Sequence, residues 1–174
     1  MGFQKNPSSQ NYIIVMALFD VDLHKFLTET FWNLVHCDLH CGNILINNDS
    51  IAVMDLGICK LENDLISNYN NKNNEIYGSI PYIPPEVLRG NEFTTKGDIY
   101  SFGGIMYEIV TAQRPFADQA HDTYLMIDIC NGVRPKVPDF MLNWIPEWYL
   151  DLMYQCWSDD PSERPTVIEL ADLF

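Results

Sequence analysis

Basic residues are scarce in this chain: ten Lys and Arg stand against 24 Asp and Glu, a formal charge of −14. Phosphate backbones and anionic bilayers are held by clustered cations, so neither nucleic acid nor a membrane surface is an expected partner. Paired cysteine motifs are missing too. Five cysteines, an odd number with no C-x-x-C spacing, read as small buried thiols in a reducing, cytoplasmic compartment rather than as disulfides. Cys37 and Cys41 lie four apart, but no further Cys or His cluster completes the set of four that zinc needs. Long apolar runs are absent: the stretch Tyr12–Phe19 falls short of the ~20 residues that span a bilayer. Met1-Gly2 resembles an acylation start, yet Asn6 occupies the place where Ser or Thr is wanted. No repeat is present, and the one biased segment, the Asn-rich residues 63–74, reads as a mobile loop. What remains is core-forming material, 47% hydrophobic and 13% aromatic over 174 residues, enough for one globular domain.

Along the chain, NYIIVMALF (11–19) reads as a strand and DLHKFL (22–27) as a short helical turn. ILI and IAVM form two strands joined by the turn Asn47–Ser50. Helices then take over. DIYSFGGIMYEIVTA (98–112) carries only Asp98 and Glu108 as charges and is apolar on every side, which predicts a helix buried at the centre of a helical domain. Tyr149, Leu152, Met153 and Cys156 recur at i, i+3, i+4 and i+7, an amphipathic helix on the same core. Residues 166–174 make a last short helix after the breaks at Pro161 and Pro165. The class is α+β, mostly α.

VHCDLHCGNILI (35–46) spaces His36, Asp38 and Asn43 as H-x-D-L-x-x-x-N. If the turn pairs Ile46 with Ile51, Asn43 at the start of one strand comes within one residue of facing Asp55 at the end of the other. An amide oxygen and a carboxylate would then converge, two hard oxygens of the kind that hold Mg²⁺ when a nucleotide supplies others. Asp38, on the loop entering the same place, would accept a proton from a substrate hydroxyl. Asp, Asn and Gly are also ordinary turn residues, and each motif alone fits that reading as well.

Several motifs in order decide between the two. HCDLHCGN, Asp55-Leu56-Gly57, GSIPYIPPE (78–86), DIYSFG (98–103) and CWSDDPSERP (156–165) resemble the catalytic loop, metal-binding D-F-G, activation-segment end, buried helix and closing turn of a eukaryotic-type protein kinase. The resemblance covers nearly the whole chain. It is closest to tyrosine-kinase-like Ser/Thr kinases and implies a protein-kinase-like C-terminal lobe with small β-hairpins. Its parts would be a hinge strand (11–19), catalytic loop and metal-binding hairpin (35–57), activation segment (55–86) and helical subdomain (87–174). It implies ATP and Mg²⁺ as cofactors and a protein Ser/Thr hydroxyl as acceptor. Asp38 would be the base, Ser79 a hydroxyl that orients it, and His40 would stand where such kinases place a lysine on the γ-phosphate. Asn43 and Asp55 would be the metal ligands. Met16 as gatekeeper, the backbone of Ala17 and Phe19, Asp22 at the ribose and Leu45 under the purine would hold the nucleotide. Glu86 and Arg164 would form a buried ion pair, and Asp98 would hold backbone N–H groups of the catalytic loop.

The resemblance also has gaps. Nothing before Met1 corresponds to a Gly-rich phosphate loop, its lysine or the helix bearing the glutamate partner, and TETFWNLV (28–35) stands where a long helix belongs. Cys37 replaces the arginine that meets a phosphorylated activation loop, and Leu56 replaces the D-F-G phenylalanine. Phosphoryl transfer depends on positioning and charge neutralisation, so weak Mg²⁺–ATP binding and no detectable catalysis are expected of this chain alone. The alternative is a pseudokinase-like scaffold that binds a protein partner through its helical lobe.

Overall fold

The computed structural model describes residues 2–5, 12–15, 34–47, 50–53, 55, 59–61 and 78–172. Three antiparallel two-stranded pairs occupy the first third. Strand β1 (Gly2–Lys5) pairs with β2 (Tyr12–Val15), and β3 (Leu34–Val35) pairs over two residues with the later β6 (Lys60–Leu61). Between them, β4 (Ile44–Asn47) pairs with β5 (Ser50–Val53), with Ile44 opposite Val53 and Ile46 opposite Ile51. Helices follow: α1 (Pro85–Leu88), α2 (Thr95–Thr111), α3 (Thr123–Cys130), α4 (Glu147–Cys156) and α5 (Val167–Ala171).

Helix α2 is the axis of the lobe. It begins one turn before the Asp98 expected from its apolar run, at an extended Thr94, and ends at Ala112, whose φ of 54° puts it in the left-handed region. The sequence run is apolar throughout, but the last turn reaches the surface, where Ile109 is 67% exposed. Its buried face meets Leu125 and Ile129 of α3, Leu152, Met153 and Cys156 of α4, Trp157 and Leu170, which together with Tyr100, Met106 and Tyr107 form the main core. The expected i, i+3, i+4, i+7 face of α4 packs there, with Tyr149 at its edge donating from its hydroxyl to the Met106 carbonyl (3.0 Å). Helix α5 is closed by a capping box: the Thr166 hydroxyl accepts from the Glu169 N–H, and the Glu169 carboxylate accepts from the Thr166 N–H.

Two smaller clusters tie the loop after β3 to the helices. Leu39, Ile105 and Ala171 form one; Val35, Cys37, Ile83, Val87 and Phe93 form the other. Close approach to α2 depends on glycine at position 103, where a Cβ would stand 2.9 Å from Trp157 Cδ1 and Nε1 and 3.0 Å from Cys156 Cβ. Both neighbours are buried and cannot yield. Gly103→Ala is therefore expected to destabilise by up to about 2 kcal/mol, overpacking of about 1–3 kcal/mol being offset in part by the ~1 kcal/mol of helix propensity that alanine returns. Urea denaturation checks this; a midpoint above the parent's would show that propensity wins.

Candidate functional site

The loop after β3 is shaped by one buried carboxylate. Asp98, in the first turn of α2 and fully buried, accepts from the backbone N–H of His36 (2.6 Å) and of Cys37 (3.0 Å). Burial pushes its carboxyl up to about 7, against these two donors, which pull it down. Gripped this way, the chain turns through Cys37 at φ 68°, a left-handed conformation uncommon for a residue with a Cβ. The Cys37 side chain is buried in the Val35 cluster, and burial first and Asp98 second push its thiol up to about 12. All five thiols are free.

Asp38 follows the turn. Its N–H donates to His36 Nδ1 (3.3 Å), and its neighbour Leu39 is buried against α2 and α5, so Asp38 and His40 stand on the opposite, more open side. His40 caps the 3₁₀ turn Cys41–Asn43 by accepting the Gly42 N–H at Nδ1 (3.0 Å). A neutral ring that accepts at Nδ1 carries its proton on Nε2, which lies 3.7 Å from Asp38 Oδ2. Asn43 ends the turn. Its Nδ2 donates to the Asp38 carbonyl (2.8 Å) and carboxylate (3.4 Å).

Asp55 is exposed, two residues beyond β5 and at the same end of the β4–β5 pair as Asn43, with φ 60°. Among the described residues no group of three or more His, Cys, Asp or Glu comes together that could hold a metal ion, so any cation here takes a small set of protein oxygens. Leu45, on β4, is 52% exposed. Met16, Ala17, Phe19 and Asp22 lie outside the described residues, as do Leu56 and Gly57, residues 63–74 and most of 11–19.

The segment 78–86 closes over the loop from the helical side. Gly78, at φ 108°, approaches so closely that a Cβ there would stand 3.0 Å from Asp38 Oδ1. Ser79 opens the 3₁₀ turn Ile80–Tyr82, and among the described residues its hydroxyl makes no hydrogen bond to Asp38. Beyond it, the Tyr82 carbonyl accepts from Ser101 Oγ (2.8 Å), the Tyr82 hydroxyl donates to Glu108, and the ring lies 5.8 Å from that of His40. The motif GSIPYIPPE contains Gly78 and Tyr82, and Glu108 is one of two charges on the apolar helix, but the sequence assigns none of them a contact at this site. A glycine before the expected hydroxyl, and a lone carboxylate on an apolar helix, were the available signals.

Glu86 and Arg164 meet as a fork, Nη1 to Oε1 at 2.6 Å and Nη2 to Oε2 at 2.7 Å. The Arg164 guanidinium also donates to the carbonyls of Lys96 (2.8 Å) and Ser158 (3.0 Å). It stacks on Tyr100 at 5.2 Å, as does Arg134 at the same distance. Arg134, unremarked in the sequence, in turn donates to the carbonyls of Trp157, Ile129 and Val133 and pairs with Asp159.

Residues 24–174 match the sequence model of a family described as protein tyrosine and serine/threonine kinase. Human receptor-interacting serine/threonine-protein kinase 4 is 33% identical over 139 residues, 76% of this chain and 16% of the relative. Mouse ankyrin repeat and protein kinase domain-containing protein 1 is 32% identical over 143 residues, 79% of this chain and 19% of the relative. The probable serine/threonine-protein kinase roco5 of Dictyostelium discoideum is 33% identical over 150 residues, 79% of this chain and 5% of the relative. The chain thus spans less than a fifth of the length of these relatives. Among the described residues, no helix is long and apolar enough to cross a membrane.

Proposed function

Because the chain belongs to the protein tyrosine and serine/threonine kinase family, we propose that it handles the acceptor hydroxyl and the metal in ATP-dependent phosphoryl transfer to protein serine and threonine hydroxyls. The observation that carries this reading is the fastening of Asn43 to Asp38. With its amide nitrogen spent on the Asp38 carbonyl and carboxylate, Asn43 keeps Oδ1, a hard oxygen, for a cation. Asn43 Oδ1 and the Asp55 carboxylate suit Mg²⁺, which takes few protein ligands and keeps waters where phosphates complete its shell. Magnesium–ATP, when bound, supplies the phosphoryl group and neutralises its charge.

In this reading Asp38 accepts the proton of the incoming hydroxyl, held by Asn43 on one side and with His40 Nε2 3.7 Å away on the other. Asp98 keeps Asp38 in place by gripping the two preceding backbone N–H groups. Ser79 joins the set when its hydroxyl turns to Asp38, since catalytic hydrogen bonds commonly tighten only with substrate present. Leu45 offers apolar surface to the purine, with Met16, Ala17, Phe19 and Asp22 completing the nucleotide contacts.

Paramagnetic Mn²⁺, used in place of Mg²⁺, tests the ligand pair without turnover. Titrated into the ¹⁵N-labelled chain, it is expected to broaden the Asn43 side-chain amide and the Asp55 backbone amide first. Asn43→Ala or Asp55→Asn should weaken that effect about tenfold or more. Equal broadening over the acidic surface in parent and variants would remove the metal assignment, and phosphorylation of a Ser/Thr peptide that survives Asp38→Asn would remove the base.

A further inference from the structure

The solvent face of α4 carries a pattern that the catalytic reading does not use. Glu147, Asp151 and Tyr154 are exposed at i, i+4 and i+7 of one helix, so they share one side of it, and the exposed Trp148 flanks that side as an i, i+3 neighbour of Asp151. The two carboxylates stand one turn apart, about 6 Å between Cβ atoms, with an aromatic ring at each edge of the stripe. The preceding loop adds Phe140 and Trp144, which are 71% and 87% exposed, against 52% for Trp148 and 43% for Tyr154. Large rings this open to water are unusual on a surface with no partner.

The face is also held in shape. Met141, Ile145, Tyr149 and Leu150 pack inward against the main core, and the Trp144 N–H is tied to the Met141 carbonyl (2.9 Å). The Trp148 ring meets Tyr149 edge-on at 5.7 Å. The backbone that carries these rings is thus already in place before binding, which favours affinity.

Charge identifies the occupant. Residues 138–155 contain Asp139, Glu147 and Asp151 and no Lys or Arg. Asp139 is already paired with Lys136, whereas among the described residues neither Glu147 nor Asp151 has an ion-pair partner. A second copy would bring carboxylate to carboxylate, and the chain's −14 charge adds to that repulsion. Anionic lipid and nucleic acid are repelled for the same reason. A guanidinium satisfies both halves of the pattern, since it pairs with a carboxylate and stacks on an indole.

We propose that the Glu147–Tyr154 face of α4, with Trp144 and Phe140, docks an amphipathic helical segment of a partner protein that carries arginines one turn apart among apolar side chains. The arginines pair with Glu147 and Asp151 over Trp148, and the apolar side chains cover Trp144 and Phe140. This docking is independent of the metal and base assignments.

The chain's tryptophans report on it directly. Of Trp32, Trp144, Trp148 and Trp157, the last is buried, 3% exposed, and serves as an internal control. The probe is a 16-residue helical peptide of Leu, Ala and Arg with arginines at i and i+4, and its twin has Glu in place of Arg. The arginine peptide is expected to shift the indole N–H signals of Trp144 and Trp148 saturably while Trp157 stays still. Glu147→Gln with Asp151→Asn, both exposed and so compatible with folding, should weaken binding about tenfold. The proposal falls if no saturable shift appears, if the two peptides act alike, or if the double variant binds as the parent does. It also falls if sedimentation shows a dimer that Trp148→Ala dissolves, which would give the face to a second copy.

Discussion

Arg164→Ala is expected to cost about 3–5 kcal/mol, the usual penalty for removing one partner of a buried ion pair. Arg164 has no exposed side-chain surface and Glu86 only 12%, so the carboxylate left behind has little water to turn to. The loss reaches further than the pair. The carbonyls of Lys96 and Ser158 lose their donor, and Tyr100 loses one of the two guanidiniums that lie over its ring. A chain of this length shifts its thermal midpoint by roughly 2–4 °C per kcal/mol, so the variant should melt about 6–20 °C below the parent. Arg164→Lys keeps the charge but not the fork and should fall between them. Lys60→Ala is the control: its pair with Glu92 spans 3.6 Å between half-exposed side chains and should be worth under about 1 kcal/mol. Equal midpoints for parent, Arg164→Ala and Lys60→Ala would mean that the pair does not join α1 to the closing turn in solution.

The second large effect is expected at Asp98. Asp98→Ala leaves the N–H groups of His36 and Cys37 without their acceptor in a buried place, at about 1–3 kcal/mol each. It also releases the left-handed turn at Cys37, whose strain of about 1–3 kcal/mol persists only while its surroundings impose it. Asp38 is the next residue, so Mn²⁺ broadening at Asn43 should weaken along with stability. A pH series separates the charge from the hydrogen bonds. The folded carboxyl sits at about 7 and the unfolded one at about 3.9. Folding therefore favours the protonated form: the contribution is complete below about pH 4 and is lost as pH rises through about 7. Asp98→Asn has no such term, so its penalty relative to the parent should shrink from pH 5 to pH 8. A penalty that grows over that range would mean that the two backbone donors outweigh burial and keep Asp98 ionised.

Residues whose chemistry is carried by charge were the legible ones. The Glu86–Arg164 fork and the grip of Asp98 on the His36–Cys37 backbone could be expected because a buried charge must find a partner, and the choices on an apolar core are few. The α4 face was legible from spacing alone, because one-sided burial writes its period into the residues. Other features left weaker traces. The β3–β6 pair is two residues long, too short for alternation to mark it. Strand β1 was missed although the polar turn cluster NPSSQN separates it from β2. Arg134 resembles any surface cation until Tyr100 and four backbone or side-chain acceptors surround it. The approach of Gly78 to Asp38 depends on tertiary placement, which a single glycine in a sequence does not announce.

Helix α2 grips the rest of the lobe at set intervals: Asp98 holds the backbone just before Asp38, Ser101 the Tyr82 carbonyl, and Glu108 the Tyr82 hydroxyl. Ten residues of helix separate the first grip from the last, a rise of about 15 Å with each residue turned about 100° from the one before. The helix thus works as a ruler with its marks cut in phase. One residue inserted between Asp98 and Glu108 would slide Glu108 by about 1.5 Å and swing it about 100° away from Tyr82 while Asp98 stayed in register. No side-chain substitution elsewhere could undo that rotation. Over this stretch the length of the chain is as binding as the residues it carries, and the distance between the loop that bears Asp38 and the segment that covers it is set by counting residues.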